Sequence, residues 1–367
     1  YYNNRAIVKR KKGDLNGAIA DYSHALELDP KNARVYSSRG SIKADKGDMD
    51  GAIADYTRAI ELDPKFARAY LNRGNARDAA WDWDGAIADY THAIELDPKS
   101  TDGYFNRGRV KFSRGSVNGK NKGDLDAALA DYTRAIELDP RFAAACSSRG
   151  LVKEAQDDLD GALVDETRAI ELDPKDDFAF IVRGRLKRAK GDLDGAIADY
   201  TRGIQFDPKN VFNYYSRAEI YFLKQSWADA LTDFRHGVEL QPEYADRPHF
   251  SIWLIRARLG EAEAANKELA AYMDKRTASE PNDWSSKIGA FLLGKLGETD
   301  FLTAAASKDA DTDNRQHCQA WFYAGMKRLV AGDKTAAAED FKKCRATEKK
   351  SFAEYEFATA ELKALAK

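Results

Sequence analysis

The sequence predicts an all-α protein, a solenoid of stacked antiparallel helical hairpins, and three observations carry that prediction. Seven prolines, Pro30, Pro64, Pro98, Pro140, Pro174, Pro208 and Pro242, are spaced by 34, 34, 42, 34, 34 and 34 residues. Each closes a near-copy of one phrase, such as Gly191-Asp-Leu-Asp-Gly-Ala-Ile-Ala-Asp-Tyr-Thr-Arg-Gly-Ile-Gln-Phe-Asp-Pro208. Within the phrase the apolar residues recur at helical rather than strand spacing. A fixed period of this length is what stacked hairpins produce, because one hairpin cannot bury its apolar face alone.

Positions within a unit are numbered so that the proline is 32. Unit three then runs from Ala67 to Ser100, with Tyr70 at 4, Gly74 at 8, Ala86 at 20, Tyr90 at 24 and Ala93 at 27. Small residues at 8 and 20 let the two helices approach closely. Tyr22, Tyr56, Tyr90, Tyr132, Tyr200 and Phe234 at position 24 fill the gap to the next unit. Gly-Asp pairs such as Gly47-Asp48 and Gly191-Asp192 form the turn, with the Asp capping the second helix. The proline ends that helix and aims the chain into the next unit. Residues 1–244 hold seven tandem units. Unit four carries eight extra residues near 114–122, read as a basic flexible loop or as an extension of the first helix that ends in one. The pattern breaks where Glu166 replaces the aromatic and Asp157 the turn glycine of unit five, so that junction is expected to pack less well. Gly203 and Gly237 also replace Ala at position 27.

This pattern resembles the tetratricopeptide repeat, over residues 1–242. The resemblance implies a right-handed superhelix (an α-solenoid) whose first helices line a concave groove with positions 2, 5, 9 and 12. Early units then present Arg34, Ser37, Ser41, Arg68, Asn75 and Asp78. Later units present Phe105, Arg109, Phe112, Phe178, Arg185, Arg188, Phe212, Tyr215 and Phe222. Aromatics interleaved with arginine suit a peptide groove. The expected partner-binding set is Arg68, Asn75, Phe105, Arg109, Phe112, Arg185, Arg188, Tyr215 and Phe222. Asn72, Asn75 and Asn106 bring to mind the family's carboxylate clamp, but no Lys stands at position 5, which argues against chaperone tails.

Position 7 is usually apolar in the family. Here it is Arg in all seven units, and position 23 is Asp in all seven. The pairs Arg39 with Asp55, Arg73 with Asp89, Arg107 with Asp131 and Arg183 with Asp199 are expected to form a structural ladder that sets register. The alternative is that these arginines hook a ligand.

Beyond residue 244 the proline period stops. Residues 245–315 read as degenerate helical hairpins, with a turn at Gly260-Glu261 and shorter helices over 286–296 and 298–307. Residues 316–367 read as a final hairpin from Cys318, with Gly325 at 8 and Phe341 at 24, followed by a capping helix over 351–365. This third resembles the bacterial lipoprotein NlpI family. The residues carrying that resemblance are Trp253-Leu254 with Ala257 and Leu259-Gly260, Gly289-Ala-Phe-Leu-Leu-Gly294, Trp321-Phe-Tyr-Ala-Gly325, and Phe352 with Glu354-Tyr355. It implies a periplasmic adaptor that docks cell-envelope enzymes, with the cytoplasm as the alternative location.

A formal net charge of −2 gives no strong field for nucleic acid. No apolar run is long enough to span a membrane. Tyr1 falls inside a repeat, which leaves room upstream for a leader, a lipid anchor or a further domain. Gly115 to Asn121 is too short, and follows the wrong element, for a phosphate loop. Asp309, Asp311 and Asp313 read as a polar loop, not a calcium site. His24, His92 and His236 occupy position 26 in non-adjacent units and form no metal site. No catalytic constellation and no cofactor site are expected. Cys318 and Cys344 meet across the last hairpin, as packed thiols or as a disulfide. The expected role is a non-catalytic scaffold for a protein or peptide partner. The alternative is the regulatory array of a larger protein whose N-terminal effector domain lies upstream.

Overall fold

A computed structural model of the chain describes residues 1–117, 121–242, 246–276, 283–350 and 352–366. It is all-α, with no strand among the described residues. Hairpins follow one another in chain order. They begin with α1 (Tyr2–Lys11) and α2 (Leu15–Leu28), α3 (Ala33–Asp45) and α4 (Met49–Leu62), then α5 (Ala67–Ala79) and α6 (Trp83–Leu96). Next come α7 (Thr101–Val117) and α8 (Lys122–Leu138), α9 (Ala143–Ala155) and α10 (Leu159–Leu172), then α11 (Asp177–Ala189) and α12 (Leu193–Phe206). The remainder is α13 (Val211–Leu223) and α14 (Trp227–Leu240), α15 (Asp246–Arg258) and α16 (Ala262–Lys275), α17 (Trp284–Leu292), α18 (Glu298–Thr303), α19 (Ala310–Val330), α20 (Lys334–Ala346) and α21 (Ala353–Leu365). The chain divides into two compact units, Tyr1–Leu186 and Lys187–Lys367.

The hairpin tips follow from local chemistry. Asp48, Asp82 and Asp192 cap their helices by accepting from the backbone N–H of Gly51 (2.9 Å), Gly85 (3.0 Å) and Gly195 (2.9 Å). The residue before the Asp is left-handed, at φ 81–85° for Gly13, Gly47 and Gly191. Asp157, Gln225 and Trp81 take the same conformation at φ 64°, 58° and 63° without glycine's freedom. The eight-residue insertion lengthens both helices of its hairpin to 17 residues. Asn118, Gly119 and Lys120, the rest of that insertion and of the phosphate-loop-like stretch, lie outside the described residues. Pro281 and Asn282, where the sequence carries a further turn signal, also lie outside them.

In the first unit Tyr22, Tyr56, Tyr90 and Tyr132 are buried against the alanines of position 20. Tyr90 leans on Gly74 so closely that a Cβ there would lie 2.7 Å from the ring. Position 27 has its own logic in the second unit. A Cβ on Gly203 would meet Asn213 at 2.4 Å, and one on Gly237 would meet Tyr215 at 2.3 Å. Each glycine makes room for a larger residue on the following first helix or its own. The second unit's core runs as one cluster from Ala218 to Ala358. Its last hairpin repeats the Gly–aromatic contact with Gly325 and Phe341. One sequence expectation is corrected there. Asp309, Asp311 and Asp313 are not a loop: Asp309 caps α19, accepting from Thr312 N–H at 2.8 Å, and the other two lie in its acidic first turn.

Between the two helices of six hairpins runs a row of forked ion pairs. Arg39 Nε and Nη2 donate to both Asp55 oxygens at 2.9 and 2.7 Å, Arg73 to Asp89 at 2.9 and 2.7 Å, and Arg107 to Asp131 at 3.0 and 2.7 Å. Arg5 with Asp21, Arg149 with Asp165 and Arg217 with Asp233 do the same. The remaining Nη1 of Arg39, Arg73, Arg107 and Arg217 reaches the preceding hairpin, donating to Ser23, Thr57, Thr91 and Thr201 at 2.8–3.1 Å. Arg183 donates to Thr167 at 3.4 Å. A second cation, at position 11, joins the carboxylate in the first six repeats: Lys9 on Asp21 at 3.0 Å, and Lys43 on Asp55, Arg77 on Asp89, Lys111 on Asp131, Lys153 on Asp165 and Lys187 on Asp199 at 2.8–2.9 Å; in the seventh the position is Tyr221.

Asp89 is 2% exposed, and replacing it with Asn would take the counter-charge from Arg73 and leave Arg77 only the carboxylate of Asp82, at 3.6 Å. The expected cost of Asp89→Asn is about 3 kcal/mol, read from denaturant unfolding. Glu61→Gln, which removes the exposed Arg58–Glu61 pair, should change stability by less than about 1 kcal/mol.

Glu166, where other units carry an aromatic, is fully buried with one hydrogen bond, from Ser147 Oγ at 3.1 Å; its Oε2 has no partner. Burial pushes its carboxyl up to about 8 from 4.5. The unfolded chain ionises first, so stability should fall as pH rises from about 4.5 to about 8 and level off above that. Glu166→Gln removes this dependence. Melting curves of both proteins across that window should converge at the acidic end, with the variant the more stable by a few kcal/mol at the alkaline end, on the order of 3–5 kcal/mol.

Candidate functional site

In the first unit the first helices α1, α3 and α5 leave an open cleft of about 820 Å³. Its lining includes Arg10, Arg34, Ser37, Ser41, Arg68 and Asn75. A second cleft of about 400 Å³ adds Asn106 and Asp102 and shares Arg68, Asn72 and Asn75 with the first. Both clefts are floored by polar groups on turns of helix that the repeat places in line.

The electrostatics of the floor are lopsided. Arg10 is neutralised by Asp45 at 2.8 Å. Arg34 and Arg68 have no ion pair among the described residues. Asn75 Oδ1 is occupied twice, by Tyr90 Oη–H at 2.7 Å and Asn106 Nδ2 at 3.1 Å, which turns the amide so that its own NH₂ remains to donate. Tyr56 Oη–H donates to Ser41 Oγ at 3.1 Å, and Ser41 in turn donates to the Ser37 carbonyl. The cleft therefore offers two guanidinium groups and an oriented amide to whatever enters it, and fits a ligand rich in acceptors.

The other expected groove residues are placed differently. Arg109 is paired with Asp78 of the preceding hairpin, and Arg185 with Glu154 at 2.5 Å. Phe105 is half-buried against Phe142 (4.7 Å between ring centroids) and Tyr132. Phe112 packs beside Leu125 and Val152. Three expectations need correction in the second unit. Phe222 is 2% exposed, packed on Phe357 of α21 at 4.3 Å and on Trp227. Arg188 is held by Glu219 at 2.7 Å and by Glu356 of α21 at 2.5 Å. Tyr215 is half-buried on Phe234 with its hydroxyl buried and unpartnered, and desolvation raises it to about 12. The cause is common to the first two. α21 lies over α13 and is anchored by buried carboxylates, Glu361 to Arg258 at 2.7 Å and Glu354 to Arg247 at 3.6 Å. Phe178 and Phe212 remain exposed.

Sequence reasoning missed the position-11 cations, and it set Arg34 on the concave face but left it out of the expected partner-binding set. The position-11 cations had a signal in the recurrence of Lys or Arg at Lys9, Lys43, Arg77, Lys111, Lys153 and Lys187.

Models of the TPR repeat match residues 8–44, 40–77 and 184–225, and a tetratricopeptide-repeat model matches 121–177. Among solved structures, MamA is 30% identical over 46% of this chain and 95% of its own, with a TM-score of 0.42. YrrB, described as a TPR protein with an unusual peptide-binding site, is 24% identical over 51% of this chain and 92% of its own, with a TM-score of 0.42. The C-terminal part of a TPR repeat-containing protein from Cytophaga hutchinsonii shares the fold at 16% identity, over 65% of this chain and 95% of its own, with a TM-score of 0.53. No curated protein sequence matches the chain. The chain belongs to the tetratricopeptide-repeat proteins, and its general role is that of a protein-interaction scaffold. No described helix is long and apolar enough to cross a membrane.

Cys318 and Cys344 are both fully buried, with their sulfurs 3.2 Å apart. Incubation with oxidised glutathione is expected to join them, two thiols giving one disulfide as the glutathione disulfide is reduced. Thiol titration of the unfolded product should then fall from three groups to one, Cys146, and the linked protein should melt higher. Three titratable thiols after prolonged exposure would contradict this.

Proposed function

We propose that the protein is a non-catalytic scaffold that holds an extended, acidic segment of a partner protein in the cleft of its first unit. The carrying observation is the pair of unneutralised arginines, Arg34 and Arg68, flanking the oriented amide of Asn75. A planar guanidinium binds a carboxylate through two parallel hydrogen bonds, and the Asn amide suits a peptide carbonyl. Phe105 and Phe112, half-accessible on the next first helix, supply apolar surface at the cleft's edge. Arg109 and Arg185 contribute shape rather than charge, because each is already paired.

The narrower role, an adaptor for bacterial cell-envelope enzymes, is carried by the order of motifs in the C-terminal third. A place in the oxidising envelope agrees with the juxtaposed Cys318 and Cys344.

Anisotropy of a labelled Asp- and Glu-rich dodecapeptide tests the groove. Arg34→Glu with Arg68→Glu should weaken binding at least about tenfold, while Arg109→Glu with Arg185→Glu has a much smaller effect. Equal affinity for the wild type and the Arg34/Arg68 double variant would refute the reading.

A further inference from the structure

The hairpin tips of the first unit carry their own interunit row, separate from the groove. Position 14 of one hairpin donates to position 18 of the hairpin before it. Lys46 bonds Asn16, Arg114 bonds Asp84 at 2.5 Å and Gln156 bonds Asp126 at 2.7 Å. At one tip the donor is missing. Position 14 of unit three is Ala80, which has nothing to donate, and the acceptor it should meet, Asp50, is exposed with no ion pair or side-chain hydrogen bond among the described residues.

The neighbouring residue at that same tip is Trp81. Its side chain is 79% exposed, and its ring lies 5.9 Å from Trp83 at a tilt of 52°. It occupies the left-handed turn position at φ 63°, where Gly13, Gly47 and Gly191 sit without strain. A bulky residue in this conformation is unfavourable, and an indole left in water adds nothing to the fold that glycine would not supply better. The strain, the exposure and the missing donor coincide at one hairpin tip. What they lack in common is a cation: a lysine or arginine would complete the row by pairing with Asp50 and would lie against the indole face.

We propose that the Trp81–Asp50 tip is a docking point for a basic side chain of a protein partner, a lysine or arginine that takes the place of the missing position-14 donor. The occupant is fixed by charge. The site presents a free carboxylate and an electron-rich ring, while the two acids on the tip that carries Trp81, Asp82 and Asp84, are met by Arg77 at 3.6 Å and Arg114 at 2.5 Å. This surface lies at the hairpin turns and not on the first-helix face, so it stands whether or not the cleft binds an acidic segment.

The test uses the full chain and a fluorescein-labelled dodecapeptide of lysine and arginine spaced by glycine and serine, with its glutamate and aspartate counterpart as control. Wild type should bind the basic probe, increasingly so at low salt, with a change in tryptophan emission. Trp81→Gly, Asp50→Asn and Ala80→Arg should each weaken it about tenfold, the last by supplying Asp50 with an internal partner. Trp81→Gly should melt no lower than wild type, since it relieves the backbone. Binding of the acidic control should be untouched by all three, which separates this site from the cleft. No binding of the basic probe at millimolar concentration, equal binding by wild type and variants, or a lower melting temperature for Trp81→Gly would each overturn the proposal.

Discussion

One interaction sets the terms for the rest of the molecule: the forked contact between the position-7 arginine and the position-23 aspartate. The carboxylates of Asp21, Asp55, Asp89, Asp131, Asp165, Asp199 and Asp233 are almost wholly removed from water. A buried anion is tolerable only with its charge met and its oxygens bonded. The guanidinium does both with Nε and Nη2 and still has Nη1 to extend to the Ser or Thr of the preceding hairpin. Under it lies the ring at position 4, as Tyr36 under Arg39 and Tyr70 under Arg73 at 5.6 Å. A single side chain therefore fixes the spacing of two helices within a hairpin and the register of one hairpin on the next. Leu or Ile at position 7 would bury apolar area there but would supply no directional bond to the partner helix or to the preceding hairpin.

That arrangement decides where charge is available for anything else. The arginines of position 7 are consumed internally, and so are Arg109 and Arg185, which span from position 9 of one hairpin to position 12 of the one before. In units two and three position 9 is Ser41 and Asn75, and position 12 of unit two is Ala44. None of these side chains carries a charge to pair with the hairpin before, and Arg34 and Arg68 have no ion pair among the described residues. The open cleft thus lies where the ion pairs between position 9 and position 12 of the later hairpins are missing.

Much of this was legible in the sequence, for identifiable reasons. The prolines, the capping aspartates and the position-8 glycines each answer a local backbone or packing demand, and a local demand repeats whenever the unit does. The Arg–Asp pairing was legible because both partners recur at fixed places in one hairpin. Lys43 and Arg77 recur as regularly, but a lysine on a helix reads as solvated until its distance to Asp55 is known. Phe222, Arg188 and Tyr215 were misplaced because what covers or crowds them is not periodic. α21 arrives from 135 residues beyond Phe222, at Phe357, and no repeat announces that contact. Trp81 escaped notice because a residue in place of a turn glycine shows its meaning only through its backbone angle.

The C-terminal helix shows what this face accepts. In the second unit, positions 9 and 12 of the first helices present Glu219, Arg188 and Phe222, and the chain lays α21 across them. The contact has two parts: Phe357 on Phe222, and the Glu356 carboxylate on the Arg188 guanidinium with both Nε and Nη2 engaged. Glu354 and Glu361 are 2% exposed, and each meets an arginine of its own, Arg247 and Arg258. An acidic, amphipathic segment is thereby held by arginines on the scaffold through charge that is costly to leave unpaired and an aromatic that is costly to leave wet. The first unit carries the same kind of cation, in Arg34 and Arg68, with half-accessible rings at Phe105 and Phe112. The intramolecular pairing is thus a worked instance of the chemistry inferred for the cleft: carboxylates to the guanidinium groups, apolar side chains to the rings.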